Sequence, residues 1–424
     1  MSRAPLRVAV LGAGTVGREV VRALLDHPER LCAFDGAPLV LAGVACRDLG
    51  RARRAGIPAE LLTDAPAHLV AAPDTDVIVE LMGGDEPART LIAAALSGGK
   101  PVVTANKHVV AHHGPALETI ARRTDVALRF EAAVGGGIPV LGPLATDLAA
   151  NEVSRVRGIV NGTTNYILSA MAGEGRGYAD VLADAQARGY AEADPTGDVE
   201  GDDAINKLVI LARLAFGRWL DPSGVARRPP TALGTGAPGI TGVTDRELAA
   251  AAALGLTLKL LATAGRSGDK ILAGVLPTAV PAGSPFGMIG GVLNRIEIDA
   301  EPLGSVSLSG PGAGGAATSS AVLGDLLAVA RGLSSTWAGL PPAPAAAGAA
   351  LDPVETARGW FAFVPQASRN PHWSVPATPG TETVAVGDGT AILTAGASLD
   401  EARAALRPIL AAGIDATLYP VDDR

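Results

Sequence analysis

Residues 6–25 read LRVAVLGAGTVGREVVRALL. Leu6 to Leu11 is an apolar run of the length of one buried strand, and an amphipathic helix follows it. Between the two lies Gly12-Ala13-Gly14-Thr15-Val16-Gly17. Glycines at this spacing permit a tight turn and let the backbone approach a pyrophosphate, which rests on the helix N-terminus. The G-x-G-x-x-G pattern is weak alone, but here it follows a strand and opens a helix, the context it requires. The stretch predicts a dinucleotide held by Gly12, Ala13, Gly14, Thr15, Val16 and Gly17 at the edge of a doubly wound α/β sheet. A structural turn in an α/β protein is the plainer alternative.

Outward from this stretch, strands are expected at 6–11, 39–46, 77–82, 101–105 and 126–131, with helices between them. That alternation implies right-handed parallel crossovers. From about residue 132 the pattern changes. Helices near 163–172, 178–188 and 202–217 precede strand-like runs near 257–263, 271–280, 291–299 and 303–309, so a mixed or antiparallel sheet in a separate α+β domain is expected. Residues 333–355, with PPAPAAAGAA at their centre, read as a low-complexity segment, with a linker over 336–357 acting as a flexible hinge. The tail, 358–424, holds strand-like WFAFV, TAILT and DATLYPV around the helix LDEARAALRPILAAG, which predicts a small α+β module.

Composition bounds the function. With 424 residues the chain is long enough for two or three domains, and its net charge of −8 argues against a nucleic-acid partner. The apolar stretch from Leu248 to Leu261 contains Lys259 and is too short to cross a bilayer. No signal-peptide pattern opens the chain, and Cys32 and Cys46 suggest reduced thiols, so a cytoplasmic location is expected. The six histidines (27, 68, 108, 112, 113 and 372) show no zinc-binding spacing.

The densest chemistry lies at residues 185–207, AQARGYAEADPTGDVEGDDAINK. Glu192, Asp194, Asp198, Glu200, Asp202 and Asp203 crowd ahead of a single lysine, Lys207. Ile205, Leu208, Val209, Leu211, Ala212 and Ala215 recur at helical spacing, and Asp203 and Lys207, four apart, share one helix face. Carboxylates beside a lysine suit a small zwitterion: the acids hold its ammonium, and the lysine sits where a hydroxyl proton must move. An acidic, solvated helix start is the alternative, because acids favour helix N-termini. Thr104-Ala105-Asn106-Lys107 closes a strand and enters a helix. Ligands of doubly wound sheets bind outside the carboxyl ends of strands, which makes Lys107 a candidate as well as an ordinary solvated lysine.

Together the 185–207 stretch, ANK at 105–107, EAAVGGGIP at 131–139, NGTTNYIL at 161–168 and GPGAGGAATSSAVLGD at 310–325 resemble homoserine dehydrogenase, over about residues 6 to 335. The resemblance implies hydride transfer between a nicotinamide ring and C4 of homoserine, interconverting it with aspartate 4-semialdehyde. It implies a dinucleotide-binding domain at 1–131 and 310–335, a substrate-binding and dimerisation domain at 132–309, and a homodimer or homotetramer. Lys207 is then the acid/base, Asp203 fixes substrate and lysine, and Lys107 is a second cation near cofactor and reacting oxygen. Which lysine is the principal proton donor stays open. Glu192, Asp198, Tyr190, Gly162 and Thr163 match substrate positions, with a loop brace and a helix cap as alternatives for Asp198 and Thr163. Thr104, Gly189 and Gly312 join the cofactor set. Main-chain oxygens of Glu131, Val134, Gly136 and Ile138 match the ligands of a monovalent cation, usually sodium. The tail resembles a degenerate ACT regulatory domain without a clear acidic-plus-glycine loop for an amino-acid effector, so weak or absent inhibition by threonine is expected.

Cofactor choice is read where the second strand ends, Val44-Ala45-Cys46-Arg47-Asp48. An acid there would bond the ribose of NAD, and an arginine would accommodate the phosphate of NADP. Arg47 comes first, with Arg51, Arg53 and Arg54 nearby, so NADP with NAD tolerated is expected. Aspartate-semialdehyde dehydrogenase would need a cysteine nucleophile in its catalytic domain, yet both cysteines lie in the first 46 residues. A non-catalytic dinucleotide sensor would be expected to lack Lys107, Asp203 and Lys207, all of which are present.

Overall fold

The computed structural model describes residues 5–31, 38–337, 339–344, 347–357, 359–365, 380–410 and 414–422. Cys32, His372, two residues of the alanine-rich stretch and parts of the tail lie outside the described residues. The chain divides into two compact units, one of Met1–Val153, Val209–Pro222 and Ala300–Gly348, the other of Ser154–Leu208, Ser223–Asp299 and Ala349–Arg424.

Unit one is built on six strands: β1 (Leu6–Leu11), β2 (Leu39–Ala45), β3 (Leu62–Thr63), β4 (Val77–Glu80), β5 (Val102–Thr104) and β6 (Leu128–Arg129). Their order is β3-β2-β1-β4-β5-β6, all parallel. Strands buried on both faces need continuous apolar runs. β1 and β4 supply them, with Val8, Val10, Val77 and Val79 fully buried. Helices α1 (Thr15–Asp26), α2 (Leu49–Arg54), α3 (Pro66–Ala71), α4 (Ala88–Ser97) and α5 (Lys107–Thr124) make the crossovers. The order reverses between β1 and β4, and a ligand crevice opens at the carboxyl ends of such a switch point. α6 (Leu141–Ala145) follows the glycine-rich turn at 135–137.

Unit two holds β7 (Glu152–Ile159), the helices α7 (Gly162–Glu174), α8 (Tyr178–Ala187) and α9 (Thr196–Val199), and the first half of α10 (Asp202–Phe216). It continues with α11 (Asp245–Ala253), β8 (Leu256–Ser267), β9 (Lys270–Pro281) and β10 (Leu293–Glu301). The sheet order is β10-β7-β8-β9, with β7, β8 and β9 antiparallel. β7, a central strand, is absent from the sequence expectation. β11 (Gly304–Pro311) and α12 (Gly315–Ala330) belong to unit one, where Val322 and Leu326 of α12 enter the core around β1. The tail forms β12 (Gly359–Val364), β13 (Thr381–Val386), β14 (Gly389–Ala395), α13 (Leu399–Leu410) and β15 (Tyr419–Pro420), in the order β13-β14-β12-β15.

The expected flexible hinge at 336–357 is instead largely packed structure. In unit one Trp337 is 2% exposed and its ring lies 5.6 Å from that of Phe130. The Leu340 and Pro341 carbonyls accept from Arg122 and the buried Arg213 at 2.9 and 2.8 Å, and Gly348 bridges Leu220. In unit two Leu351 bridges Leu272, and Val354 joins an apolar cluster with Trp360. The segment is held through its backbone: the Pro341 carbonyl supplements the Glu118 carboxylate that already pairs with buried Arg213, and Ala343 N donates to the same carboxylate at 3.4 Å.

Candidate active site

In unit one the glycine motif is a backbone cradle. A Cβ on Gly12 would lie 2.5 Å from the Leu81 carbonyl oxygen, and one on Gly17 would lie 2.0 Å from the Gly12 oxygen, so α1 approaches β1 and the β4 end as only glycine allows. Gly14 faces open space and is the N-cap of α1, with no side chain capping the helix. The first-turn N–H groups of α1 therefore point at a site whose natural occupant is an anion. Gly315 packs on Thr15 at the start of α1, which brings the 310–325 motif to the same place.

The neighbouring strand ends are organised by Glu80, which sequence reasoning missed. Its carboxylate is fully buried and accepts from Met82 N (2.7 Å), Gly83 N (3.3 Å) and the Thr104 hydroxyl (2.7 Å). Burial pushes the Glu80 carboxyl up from the usual range, against those hydrogen bonds. An acid ending the otherwise apolar VIVE was the available signal. Thr104 in turn accepts from Asn106 N, and Asn106 caps α5 and donates to the Gly84 carbonyl at 2.8 Å. Lys107 thus begins α5 on a fixed turn. At the end of β2, Asp48 is committed to capping α2 through Arg51 N at 2.8 Å, whereas Arg47 is exposed.

The 131–142 loop is also ordered from within. The Glu131 carboxylate accepts from Val140, Leu141 and Gly142 N at 2.7, 2.8 and 2.6 Å, so its side chain serves α6. Gly136 has φ +57° and a Cβ there would meet the Gly312 carbonyl carbon at 2.6 Å, so the two loops meet backbone to backbone. Among the described residues no group of three His, Cys, Asp or Glu could hold a metal ion.

In unit two the acidic stretch folds into one cluster. Asn161 caps α7, accepting from Thr164 N, and its amide donates to Asp198 Oδ1 at 2.7 Å and Asp203 Oδ2 at 2.8 Å. Lys207 Nζ donates to the same Asp203 oxygen at 2.7 Å and to the Val160 carbonyl at 2.6 Å. Lys207 is 8% exposed. Burial raises the Asp198 carboxyl, the Asn161 bond opposes this, and nearby Asp203 raises it further. In the sequence an asparagine before a helix signals only a cap, which hides the second role of Asn161.

The chain carries matches to two family models: "Homoserine dehydrogenase, NAD binding domain" over residues 12–131 and "Homoserine dehydrogenase" over 139–327. It is 47% identical to the homoserine dehydrogenase of Mycobacterium tuberculosis over 353 residues, 80% of this chain and 77% of that one. The chain belongs to the homoserine dehydrogenase family.

Among solved structures it resembles the homoserine dehydrogenase of Thiobacillus denitrificans with a TM-score of 0.85 at 32% identity, covering 100% of this chain and 99% of that one. It also resembles a hyperthermophilic archaeal homoserine dehydrogenase in complex with NADPH, at TM-score 0.64 and 25% identity, over 78% of this chain and 98% of that one. The protein is thus an oxidoreductase that interconverts L-homoserine and L-aspartate 4-semialdehyde with a nicotinamide dinucleotide.

For a homoserine dehydrogenase, the cluster in unit two gathers the expected acid/base Lys207 with much of the expected substrate set: Asp203 and Asp198 directly, Gly162 next to Asn161, and Thr163 through its bond to the Tyr190 carbonyl at 2.7 Å. Asn161, not Thr163, is the cap of α7. Tyr190 stacks edge-on against Tyr166, with its ring 5.0 Å away. Glu192 and Gly189 are exposed on the same loop. No helix among the described residues is long and apolar enough to cross a membrane.

Proposed function

We propose that this homoserine dehydrogenase uses Lys207 as the acid/base at the reacting oxygen, with Asp203 orienting both the lysine and the substrate. The observation that carries the reading is the shared Asp203 oxygen, which accepts from Lys207 Nζ at 2.7 Å and from Asn161 at 2.8 Å. A carboxylate so fixed holds the lysine chain in one rotamer and leaves the ammonium its proton to give. When bound, the nicotinamide cofactor supplies or accepts the hydride. As the aldehyde oxygen gains negative charge, an adjacent ammonium stabilises it and then protonates it. Lys107 serves as the second cation at cofactor and reacting oxygen. Asp198, Asp203 and Glu192 hold the substrate ammonium, with Tyr190, Gly162 and Thr163 shaping the site and Gly189 and Gly312 completing the cofactor set. Lys207→Ala should lower kcat by roughly 10² to 10⁴-fold, the usual range for losing a general acid/base, while cofactor binding persists. Near wild-type turnover in that variant overturns the assignment.

NADP is the preferred cofactor in this reading, with NAD tolerated, because Arg47 is exposed at the β2 end and Asp48 is already engaged as a helix cap. The main-chain oxygens of Glu131, Val134, Gly136 and Ile138 hold a monovalent cation such as sodium. The commitment of the Glu131 side chain to α6 supports the main-chain form of this reading. Activity should fall when sodium is replaced by a bulky organic cation at constant ionic strength and return on its restoration; indifference to that exchange counts against the site. A homodimer or homotetramer is proposed from family resemblance.

A further inference from the structure

Lys259 lies on β8, far in sequence from every motif above, and is 3% exposed. A buried lysine ordinarily needs a carboxylate, because desolvating an ammonium is costly. Among the described residues no carboxylate pairs with Lys259. Its three hydrogen bonds go to neutral acceptors: Asn165 Oδ1 and Ser169 Oγ on α7, each at 3.1 Å, and the Ile289 carbonyl at 2.6 Å. Burial accordingly lowers its pKa to about 8. With its oxygen engaged by the lysine, the Asn165 amide turns its nitrogen toward the loop before β10, donating to Gly291 O at 3.0 Å and Leu293 O at 3.2 Å.

That loop lies against the first residue of α7. A Cβ on Gly162 would sit 2.8 Å from the Val292 carbonyl oxygen. The preceding residue, Asn161, is the one that joins Asp198 to Asp203. Lys259 therefore ties together two segments, the first turns of α7 and the 289–293 loop, that meet beside the carboxylate cluster. A neutral residue could fill the same volume without desolvating a charge, so a structural tie alone does not account for a lysine here.

We infer that Lys259 is a positioning residue for homoserine: through Asn165 and Ile289 it fixes the 289–293 loop against Gly162 and so sets the wall beside the Asn161–Asp198–Asp203 cluster. The inference rests on the substrate assignment of that cluster. Loss of the Lys259 proton removes one of its three donors, which should loosen the loop. The other groups facing the lysine, Asn165, Ser169 and the Ile289 carbonyl, do not titrate in this range.

The test uses the full-length enzyme and homoserine as the varied substrate. Lys259→Met keeps the apolar stem and should raise the homoserine KM about 10-fold or more, with a smaller fall in kcat and unchanged NADP affinity. Ser169→Asp places a carboxylate beside the ammonium and should be milder, and it keeps the question open to measurement if the methionine variant does not fold. In that variant the alkaline rise of the homoserine KM, expected near pH 8 in the wild type, should move up by about one pH unit or more, because a nearby opposite charge favours the protonated lysine. A purely structural lysine would leave the KM profile where it is. Unchanged homoserine KM in Lys259→Met, or an unmoved alkaline limb in Ser169→Asp, overturns the inference. Failure of the substrate assignment reads out separately, as an unchanged homoserine KM in Asp198→Asn.

Discussion

At the scale of single residues, position matters more than identity. Gly17 is required because of an oxygen only 2.0 Å from where its Cβ would be. Gly17→Ala must push α1 away from β1, and its affinity for NADPH, followed by fluorescence titration, should fall at least 10-fold; unaltered affinity means the cradle has slack. Arg47→Ala should weaken NADP far more than NAD, changing the ratio of kcat/KM values by about 10-fold or more, since a charged contact to phosphate contributes a few kcal/mol at most. Equal losses with both cofactors place Arg47 on a solvated face. Lys259 gives a stability prediction with a definite sign. Its folded pKa of about 8 lies below the ordinary 10.5, so the unfolded chain binds more protons between those values and stability rises with pH across that window. Burying the charged form costs on the order of 3 kcal/mol, a penalty present in full below pH 8 and relieved as pH climbs toward 10.5. The unfolding midpoint of the wild type relative to Lys259→Met should therefore improve from pH 7 to pH 9.5; a gap that stays flat or narrows the other way rules out a buried, unpaired ammonium.

At the scale of elements, what was legible depended on whether a segment advertises its burial. β1 is apolar and buried from Val8 to Leu11, and its sequence boundaries, 6–11, match the structure. β7, EVSRVRGI, carries charges on a central strand and gave no apolar signal. Those charges are answered across the sheet, Arg155 by Asp299 at 2.8 Å and Arg157 by Glu297, with Asp422 of the tail also on Arg157 at 2.5 Å. Partners so distant in sequence cannot be seen from the strand itself. The Asp203–Lys207 pair was readable because it is local to one helix, whereas Asn161 and Glu80 act through contacts that only the fold creates. The alanine-rich segment misled in the opposite direction, since its role is played by carbonyls. Removing residues from 345 onward should consequently lower the melting temperature by several degrees and cost soluble protein, because Gly348, Leu351, Val354 and Tyr419 leave buried partners behind. A truncated enzyme as stable as the full chain restores the hinge. Threonine should inhibit the full-length enzyme weakly or not at all; strong inhibition that disappears on truncation would make the tail a working sensor.

At the scale of the whole molecule, the chemistry is divided. Unit one carries the glycine cradle, Glu80, Thr104, Lys107 and Arg47; unit two carries Asn161, Asp198, Asp203 and Lys207, so on the proposed roles neither unit alone holds the full set. A dinucleotide-binding sensor needs only the first set. The most direct test follows from that difference: full-length protein is mixed with L-homoserine and oxidised NADP or NAD, and the absorbance of the reduced nicotinamide is followed. Homoserine-dependent reduction is expected with both, with the higher kcat/KM for NADP. No reduction with either cofactor, in protein that still binds them, would contradict it.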